Sequence, residues 1–416
     1  MNKYLKALFS ILYPWFPLWA WLAHFAGNKP VTFYFNIITL PLSIWMLASS
    51  AQKLPRYLIF FIGFVLYHVA SSFINNTVPA DQNKVFFILY DYHIFACTVF
   101  ILIEKTVFDA VFIKTMNRNI FIIIILSLIV SVIQIKDPNF FYNQSLINNN
   151  TEEFGEIEIR NASIFSWYTA NSGGITFPIL ISLVLGFYEL QKSRFLFLVL
   201  AGIVVSFLTK ARYVMVSMII VLSQLFFSRK QSVSRMISLI AVFAGSIVLL
   251  VFIANQVGFD IQKVISSRIL EEDSDMESAK ARIVSYEVFL KKFPENPWLG
   301  VGPATRADVV EMLGGGVPLL HVGYLSFLYF YGIVGCLFFF IALFYLVRDS
   351  WVIGRRYKFW GSFYAFITFC VANATFVYFN CAEMGIVLSV IYLRFYKSTY
   401  PLIVEAEEEK LKTGTI

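Results

Sequence analysis

Long apolar runs separated by short polar segments dominate this chain. A helix of about 20 mostly apolar residues is long enough to span a bilayer. The pattern therefore predicts an all-α polytopic membrane protein with about twelve transmembrane helices, near residues 7–26, 31–50, 57–74, 85–103, 119–135, 173–190, 195–209, 213–228, 236–254, 321–347, 359–379 and 381–396.

Two polar segments are too long to be simple connections between helices, and they organise the chain. Within the second one, four apolar positions recur at helical spacing and predict an amphipathic helix from about Ser278 to Phe293: Ile283, Tyr286, Leu290 and Phe293. The predicted regions are N-terminal transmembrane helices 1–5 (1–135), a first long loop (136–172), transmembrane helices 6–9 (173–254), a second long loop (255–320), transmembrane helices 10–12 (321–396) and a cytoplasmic tail (397–416).

Composition agrees with a membrane protein and argues against several other classes. Hydrophobic residues make up 58% of the chain and charged residues 14%, whereas about 25% of a soluble chain is charged. The net charge of +7 comes from basic residues at the ends of apolar runs, where they set topology rather than bind nucleic acid. The 4 cysteines form no CxxC pair, so neither a disulfide framework nor a metal site is predicted.

The distribution of lysine and arginine predicts the orientation of the helices. If the N-terminus is cytoplasmic, the short outward loops keep only Lys29, Lys84, Lys210 and Arg212. This asymmetry follows the positive-inside rule, in which long loops count little. Both termini are therefore expected in the cytoplasm, and both long loops are expected to face outward. The N-terminal apolar stretch has no convincing cleavage site and is expected to remain as the first helix.

Several arginines at the outward boundary are candidates for substrate binding. Arg212 follows Lys210 in a turn too short to leave the membrane surface, where a charge is costly unless it faces a wet cavity or a partner. The alternative is a snorkelling arginine at a helix end, or an ordinary solvated one in a loop. The long loops hold further guanidinium groups, which suit phosphate oxygens: Arg160, Arg268, Arg282 and Arg306.

His321 is the histidine predicted at the outer rim, since His24, His68 and His93 are embedded in predicted spans. A rim histidine titrates near neutral pH and is able to accept the proton of a hydroxyl group. An interfacial histidine at a helix start is an equally open reading. Asp91, in the fourth predicted span, is an embedded charge that could face an internal cavity.

Four stretches form a pattern in this order: Arg160-Asn161-Ala162-Ser163-Ile164-Phe165 followed by Asn171; Thr209-Lys210-Ala211-Arg212; Ala281-Arg282-Ile283-Val284 with Asn296-Pro297-Trp298-Leu299-Gly300-Val301-Gly302; and His321-Val322-Gly323-Tyr324-Leu325 with Tyr331-Gly332-Ile333-Val334-Gly335. Over roughly residues 155–345 the chain thereby resembles the O-antigen ligase and Wzy-type polymerase superfamily of bacterial membrane proteins. It departs from that family at Val322, where an asparagine usually follows the histidine.

The resemblance implies a GT-C-like glycosyltransferase of the bacterial inner membrane, with both long loops in the periplasm and no cofactor, nucleotide sugar or essential metal. The implied donor is an undecaprenyl-diphosphate-linked glycan, the acceptor a glycan or lipid A-core, and further partners are a flippase and a chain-length regulator. By analogy His321 is the general base or orients the acceptor. The same analogy assigns diphosphate binding to Arg160, Lys210, Arg212 and Arg282, with Arg212 and Arg282 also catalytic.

Three functions are open at this point. A polymerase that joins repeat units between lipid carriers is favoured by the divergence at Val322 and by the Phe-, Ile- and Asn-rich composition. A ligase that moves glycan to lipid A-core uses the same donor. A transporter or flippase could also have twelve spans, but transporters tend to place charges at mid-membrane, whereas most candidate groups here lie in outward loops.

Overall fold

The structure is a computed structural model, and it is helical wherever it describes regular elements. The all-α fold predicted from the hydrophobic pattern is therefore confirmed for these residues. The described residues are 2–25, 31–49, 53–75, 88–137, 140, 164, 172–187, 192–208, 212–227, 237, 241, 245, 277–303, 322–374 and 379–413.

In the part of the chain that the structure describes, most helices overlap the predicted spans, because each apolar run satisfies its own backbone hydrogen bonds as a helix. The span predicted near 236–254 lies almost entirely outside the described residues. In chain order the helices are α1 (Asn2–Leu12), α2 (Phe16–Phe25), α3 (Val31–Ala48), α4 (Arg56–Ile74), α5 (Tyr92–Glu104), α6 (Ala110–Lys136), α7 (Ser172–Phe187), α8 (Lys192–Leu208), α9 (Arg212–Phe227), α10 (Glu277–Lys292), α11 (Gly323–Tyr357), α12 (Gly361–Ala372), α13 (Met384–Ser398) and α14 (Tyr400–Thr413).

Length and hydropathy mark part of this set as membrane-spanning. In the part of the chain that the structure describes, α3, α4, α6 and α11 are long and apolar enough to cross a bilayer. Further apolar helices are shorter and include segments of α5, α7, α9 and α12. The fold is thus that of a membrane protein, while the count of twelve spans stays a prediction.

The first predicted span, residues 7–26, is wrong as a single helix. The chain forms α1 and α2 with a break at Tyr13–Trp15. Pro14 lies in this break, and proline has no backbone N–H to continue a helical ladder. Tyr13 and Phe16 are buried on either side of the break, and their rings stack at 5.6 Å.

Two groups of helices share one core. In the first group, α4 lies along α11 and contacts α5, which packs on α3; in the second, α7 packs against α12, α9 and α13. Helix α13 also contacts α5 and α11, so it joins the groups. The rings of Phe64, Phe327 and Phe339 fill the α4–α11 contact, with centroids 4.6 to 5.5 Å apart.

The segments predicted to be cytoplasmic meet at one end of this bundle. Asn2 exchanges hydrogen bonds with the backbone of Val107, and Lys6 forms an ion pair with Asp109. At the same end, the C-terminal part of α13 is bonded to the end of α5 and to the second half of α11. These contacts agree with the predicted alternation of the helices, because ends assigned to one membrane side lie together.

Part of the predicted C-terminal tail is helical. Helix α14 begins at Tyr400, packs against α13 and continues to Thr413. The Tyr400 ring lies 4.8 Å from that of Tyr396, and this aromatic contact anchors the first turn of α14.

Candidate functional site

Helix α11 is interrupted within its first third. Gly332 has φ +59° and ψ −171°, which separates a short N-terminal segment from the long remainder of the helix. This backbone conformation is accessible essentially to glycine alone. A Cβ atom at Gly332 would lie 2.4 Å from the carbonyl oxygen of Trp298, so a neighbouring chain segment occupies the space that a side chain would need.

That segment is the Pro- and Gly-rich run Pro297–Gly302, which pairs with both sides of the break. Ile333 and Val334 donate their backbone N–H groups to the carbonyls of Pro297 and Trp298, at 2.9 and 3.1 Å. In the other direction, Val301 N–H donates to Tyr329 at 3.1 Å and Gly302 N–H to Phe330 at 2.9 Å. The run therefore replaces helical hydrogen bonds that the break removes.

A second glycine makes this close approach possible. Gly300 has φ +69°, and a Cβ atom there would lie 2.4 Å from the carbonyl oxygen of Phe330. Beside it, the Tyr67 hydroxyl of α4 donates to the carbonyl oxygen of Leu299 at 2.5 Å. Two motifs identified separately in the sequence, Pro-x-x-Gly-x-Gly and Gly-x-x-Gly, therefore form one structural unit that is also bonded to α4.

A buried polar chain lies next to the break. The hydroxyl group of Tyr331 lies 3.0 Å from Nδ1 of His68, and Nε2 of His68 lies 2.7 Å from a carboxylate oxygen of Asp91. The other oxygen of Asp91 accepts the N–H of Ile94 at 2.8 Å and caps α5. Since an ionised carboxylate only accepts, Nε2–H of His68 donates to Asp91, while Nδ1 of His68 is hydrogen-bonded to the Tyr331 hydroxyl group.

The side chains that surround Tyr331, His68 and Asp91 are mostly aromatic. His68 is 2% exposed, and the His93 ring lies 5.2 Å from it. Phe64 and Phe327 pack against the same groups. A buried and fully hydrogen-bonded polar chain fixes the relative position of the helices that contribute to it, here α4, α5 and α11. The embedded histidine and aspartate of the sequence thus support the helix break.

The helix predicted from Ser278 to Phe293 is present as α10. Three of its four predicted apolar positions are exposed, however: Ile283 by 58%, Tyr286 by 51% and Leu290 by 69%. Among the side chains of α10 that the structure describes, those of Ser285 and Phe289 are buried, and α10 contacts α11. Helix α10 leads through a short turn at Phe293–Glu295 into the run that pairs with Gly332, so the backbone links it directly to the break.

Comparison with known protein families identifies the segment that contains these features. Residues 195–340 match the family model Wzy_C, described as O-antigen ligase. Residues 195–340 are therefore similar to the O-antigen ligase family. The match confirms the superfamily predicted from the sequence, and it does not support the transporter alternative. No protein in the curated set matches the chain.

The matched segment 195–340 contains most of the predicted site residues. Arg212 is the first residue of α9, and Arg282 lies in the N-terminal half of α10. The structure does not describe Lys210 and His321, which also fall in the matched segment, or Arg160, which precedes it. The predicted meeting of these cations with His321 therefore stays a prediction.

Val322 has a defined structural position at the start of α11, the last helix that the matched segment reaches. It is the N-cap of α11, has extended backbone angles, and makes no hydrogen bond through its side chain. Asparagine is among the best N-cap residues because its side-chain oxygen accepts a free N–H of the first turn. Valine at this position therefore leaves α11 without a side-chain cap.

The sequence analysis did not identify the buried carboxylate of Glu383, which lies outside the matched segment. Glu383 is the N-cap residue of α13 and is 9% exposed. It accepts a hydrogen bond of 2.5 Å from the hydroxyl group of Thr176 in the first turns of α7. A charged side chain within an apolar run is a functional candidate by default, and that signal was available from the sequence around Glu383.

Proposed function

We propose that the protein is a polymerase of the bacterial inner membrane that extends a surface polysaccharide. It would transfer glycan from undecaprenyl diphosphate to a hydroxyl group of a lipid-linked repeat unit, on the periplasmic side. The observation that carries its glycosyltransferase part is the O-antigen ligase match over residues 195–340, and the choice of a polymerase follows from the divergence at Val322 and the Phe-, Ile- and Asn-rich composition. This segment contains Arg212, Arg282, His321 and the paired glycine motifs.

The proposed reaction is a direct displacement. An acceptor hydroxyl attacks the anomeric carbon of the donor sugar, the bond to the diphosphate oxygen breaks, and the configuration inverts. His321 would accept the hydroxyl proton as a general base. Arg160, Lys210, Arg212 and Arg282 would bind the diphosphate and stabilise the negative charge that develops on it. The charge is thus carried by protein cations.

The paired glycine unit supports this proposal because it attaches the second long loop, which contains Arg282, to a rigid part of the helix bundle. Pro297–Gly302 is held to the break in α11 by four backbone hydrogen bonds and to α4 by the hydroxyl group of Tyr67. Arg282 precedes this unit on α10, and His321 precedes α11 by two residues. Groups that must act together on one diphosphate benefit from attachment to a common rigid element.

A ligase is the second candidate, and the description of the matching family favours it. It would use the same lipid-linked donor and the same cations, with lipid A-core as the acceptor. The two activities differ only in the acceptor, so the choice between them depends on the surface that receives the acceptor rather than on the diphosphate site.

Deletion of the gene separates the candidates through the surface glycan. Loss of a polymerase should leave lipid A-core that carries a single repeat unit, whereas loss of a ligase should leave polymer on the lipid carrier. Complementation with wild-type protein should restore the normal glycan, and complementation with Arg212→Ala, Arg282→Ala or His321→Ala should not. Full restoration by all three variants, at wild-type protein levels, would overturn the glycosyltransferase proposal.

A further inference from the structure

A basic cavity of about 260 Å³ lies at the end of the bundle opposite to the Gly332 break. The start of α4, the end of α5 and the last turns of α13 enclose it. Three lysines and one arginine line it against a single glutamate; Leu54 and Pro55 complete the wall, and the charged residues are Lys53, Glu104, Lys105, Arg394 and Lys397.

The acidic groups at this cavity already have partners. Glu104 accepts the hydroxyl group of Tyr57 at 2.8 Å and forms an ion pair with Nη1 of Arg394 at 3.3 Å. Lys397 donates to Asp349 at 2.5 Å. Each of these carboxylates is therefore already paired with a cation near the cavity.

One donor in the wall lacks an acceptor. Arg394 is 16% exposed, and its Nε atom is buried without a hydrogen-bond partner among the residues that the structure describes. A buried N–H group without an acceptor costs free energy. The positive-inside rule accounts for lysines at helix ends, but it does not account for a buried guanidinium N–H with this geometry.

We propose that this cavity binds the phosphate group of an anionic glycerophospholipid. The cavity lies at the helix ends, which is the level of lipid headgroups, and Leu54 and Pro55 offer an apolar wall to the glycerol part. Basic pockets between transmembrane helices recognise anionic headgroups. The phosphate would accept from Nε of Arg394 and pair with Lys53 and Lys105, and this role does not depend on the proposed glycosyltransferase reaction.

The test uses the full-length protein, purified in detergent and stripped of lipid, with lipid binding measured by native mass spectrometry. Phosphatidylglycerol should bind at least tenfold more tightly than phosphatidylcholine. The double variant Lys53→Gln/Lys105→Gln should lose most of this preference. The matched control is Lys114→Gln/Arg118→Gln, which removes two exposed cations on the same predicted membrane side and outside the cavity.

The control variant should retain the wild-type preference for phosphatidylglycerol. Equal binding of both lipids by the wild type, or an equal loss in the two double variants, would overturn the proposal. Inorganic phosphate at millimolar concentration serves as a separate arm. Retention of phosphatidylglycerol in its presence supports a lipid headgroup, whereas complete displacement would assign the cavity to a soluble phosphate and overturn the lipid assignment. Thermal unfolding of each variant verifies that it is folded.

Discussion

The hydroxyl group of Tyr331 lies 3.0 Å from Nδ1 of His68, although 263 positions separate the two residues in the chain. Tyr331 immediately precedes the glycine at which α11 breaks, and His68 is bonded in turn to Asp91 at the start of α5. The break in α11, which lies in the segment that matches the O-antigen ligase family, is therefore bonded to two helices outside that segment, α4 and α5. This contact explains how the N-terminal helices contribute to the architecture of the candidate site.

Replacement of Tyr331 by phenylalanine should destabilise the protein. The change removes the hydroxyl group that is hydrogen-bonded to buried His68, and loss of one partner in a buried hydrogen bond costs about 1–3 kcal/mol. The midpoint of thermal unfolding in detergent measures the effect. The control is Tyr13→Phe, because the buried Tyr13 hydroxyl has no hydrogen-bond partner among the described residues. Equal stability of the two variants would contradict the structural role of the Tyr331–His68 bond.

Gly332→Ala should be among the most damaging small substitutions in the chain. Its cost combines a backbone conformation that disfavours any side chain, about 1–3 kcal/mol, with a Cβ atom placed 2.4 Å from the Trp298 carbonyl oxygen. Gly245→Ala is the matched control, since a Cβ atom at Gly245 meets nothing within 4 Å. Unfolding temperature and glycan polymer in cells are the readouts, and wild-type values for Gly332→Ala would refute the pairing.

Arg282→Ala should reduce polymer formation by about 100-fold or more, because a donor that stabilises developing charge is typically worth that much in rate. Arg282→Lys should restore only part of the activity, since lysine lacks the planar fork. The control is Lys291→Ala, which removes an exposed cation from the last turn of the same helix. Polymer is measured in membranes supplied with lipid-linked repeat units. Similar activity in all three variants would remove Arg282 from the site.

The ion pair between Lys6 and Asp109 should make stability depend on pH at the end of the bundle near the N-terminus. Burial raises the pKa of Asp109, but hydrogen bonds from Lys6 and the N–H of Phe112 outweigh it and lower the pKa below 3.8. A depressed folded-state pKa contributes stability above the unfolded value, and the contribution is lost as the pH falls through the folded value.

The variant Asp109→Asn tests whether this contribution to stability is lost as the pH falls. Asparagine also caps helices, so the variant should lose only the ion pair, about 0.5 kcal/mol at pH 7 for a partly exposed group, and should match the wild type once the pH falls well below 3.8. Asp109→Ala should lose about 1 kcal/mol more, since the cap of α6 is then missing. A wild-type advantage over Asp109→Asn that persists unchanged at low pH would contradict the assignment.

Much of the local structure followed from the sequence. The predicted helix 278–293 is α10 within a residue at each end, and the span predicted at 213–228 is α9, which begins at Arg212. The sequence analysis did not predict that Pro14 divides the first span, because it considered only hydrophobicity there. It did not take into account that proline has no backbone N–H to continue the helix. The hydrophobic pattern also did not predict that Ile283, Tyr286 and Leu290 are exposed. Helical spacing shows that apolar residues share one face of a helix, but it does not show which element packs against that face.

By itself, the sequence determined the helical class, the approximate helix ends and the residues that carry the superfamily resemblance. These depend on local runs of apolar residues, charge placement and short motifs. Only the tertiary structure decided that Pro297–Gly302 inserts at Gly332 and that the side chains of Tyr331, His68 and Asp91 are connected by hydrogen bonds. The physical reason is that helices such as α4 and α11 are apolar on nearly all sides, so their sequences do not specify which face meets which partner.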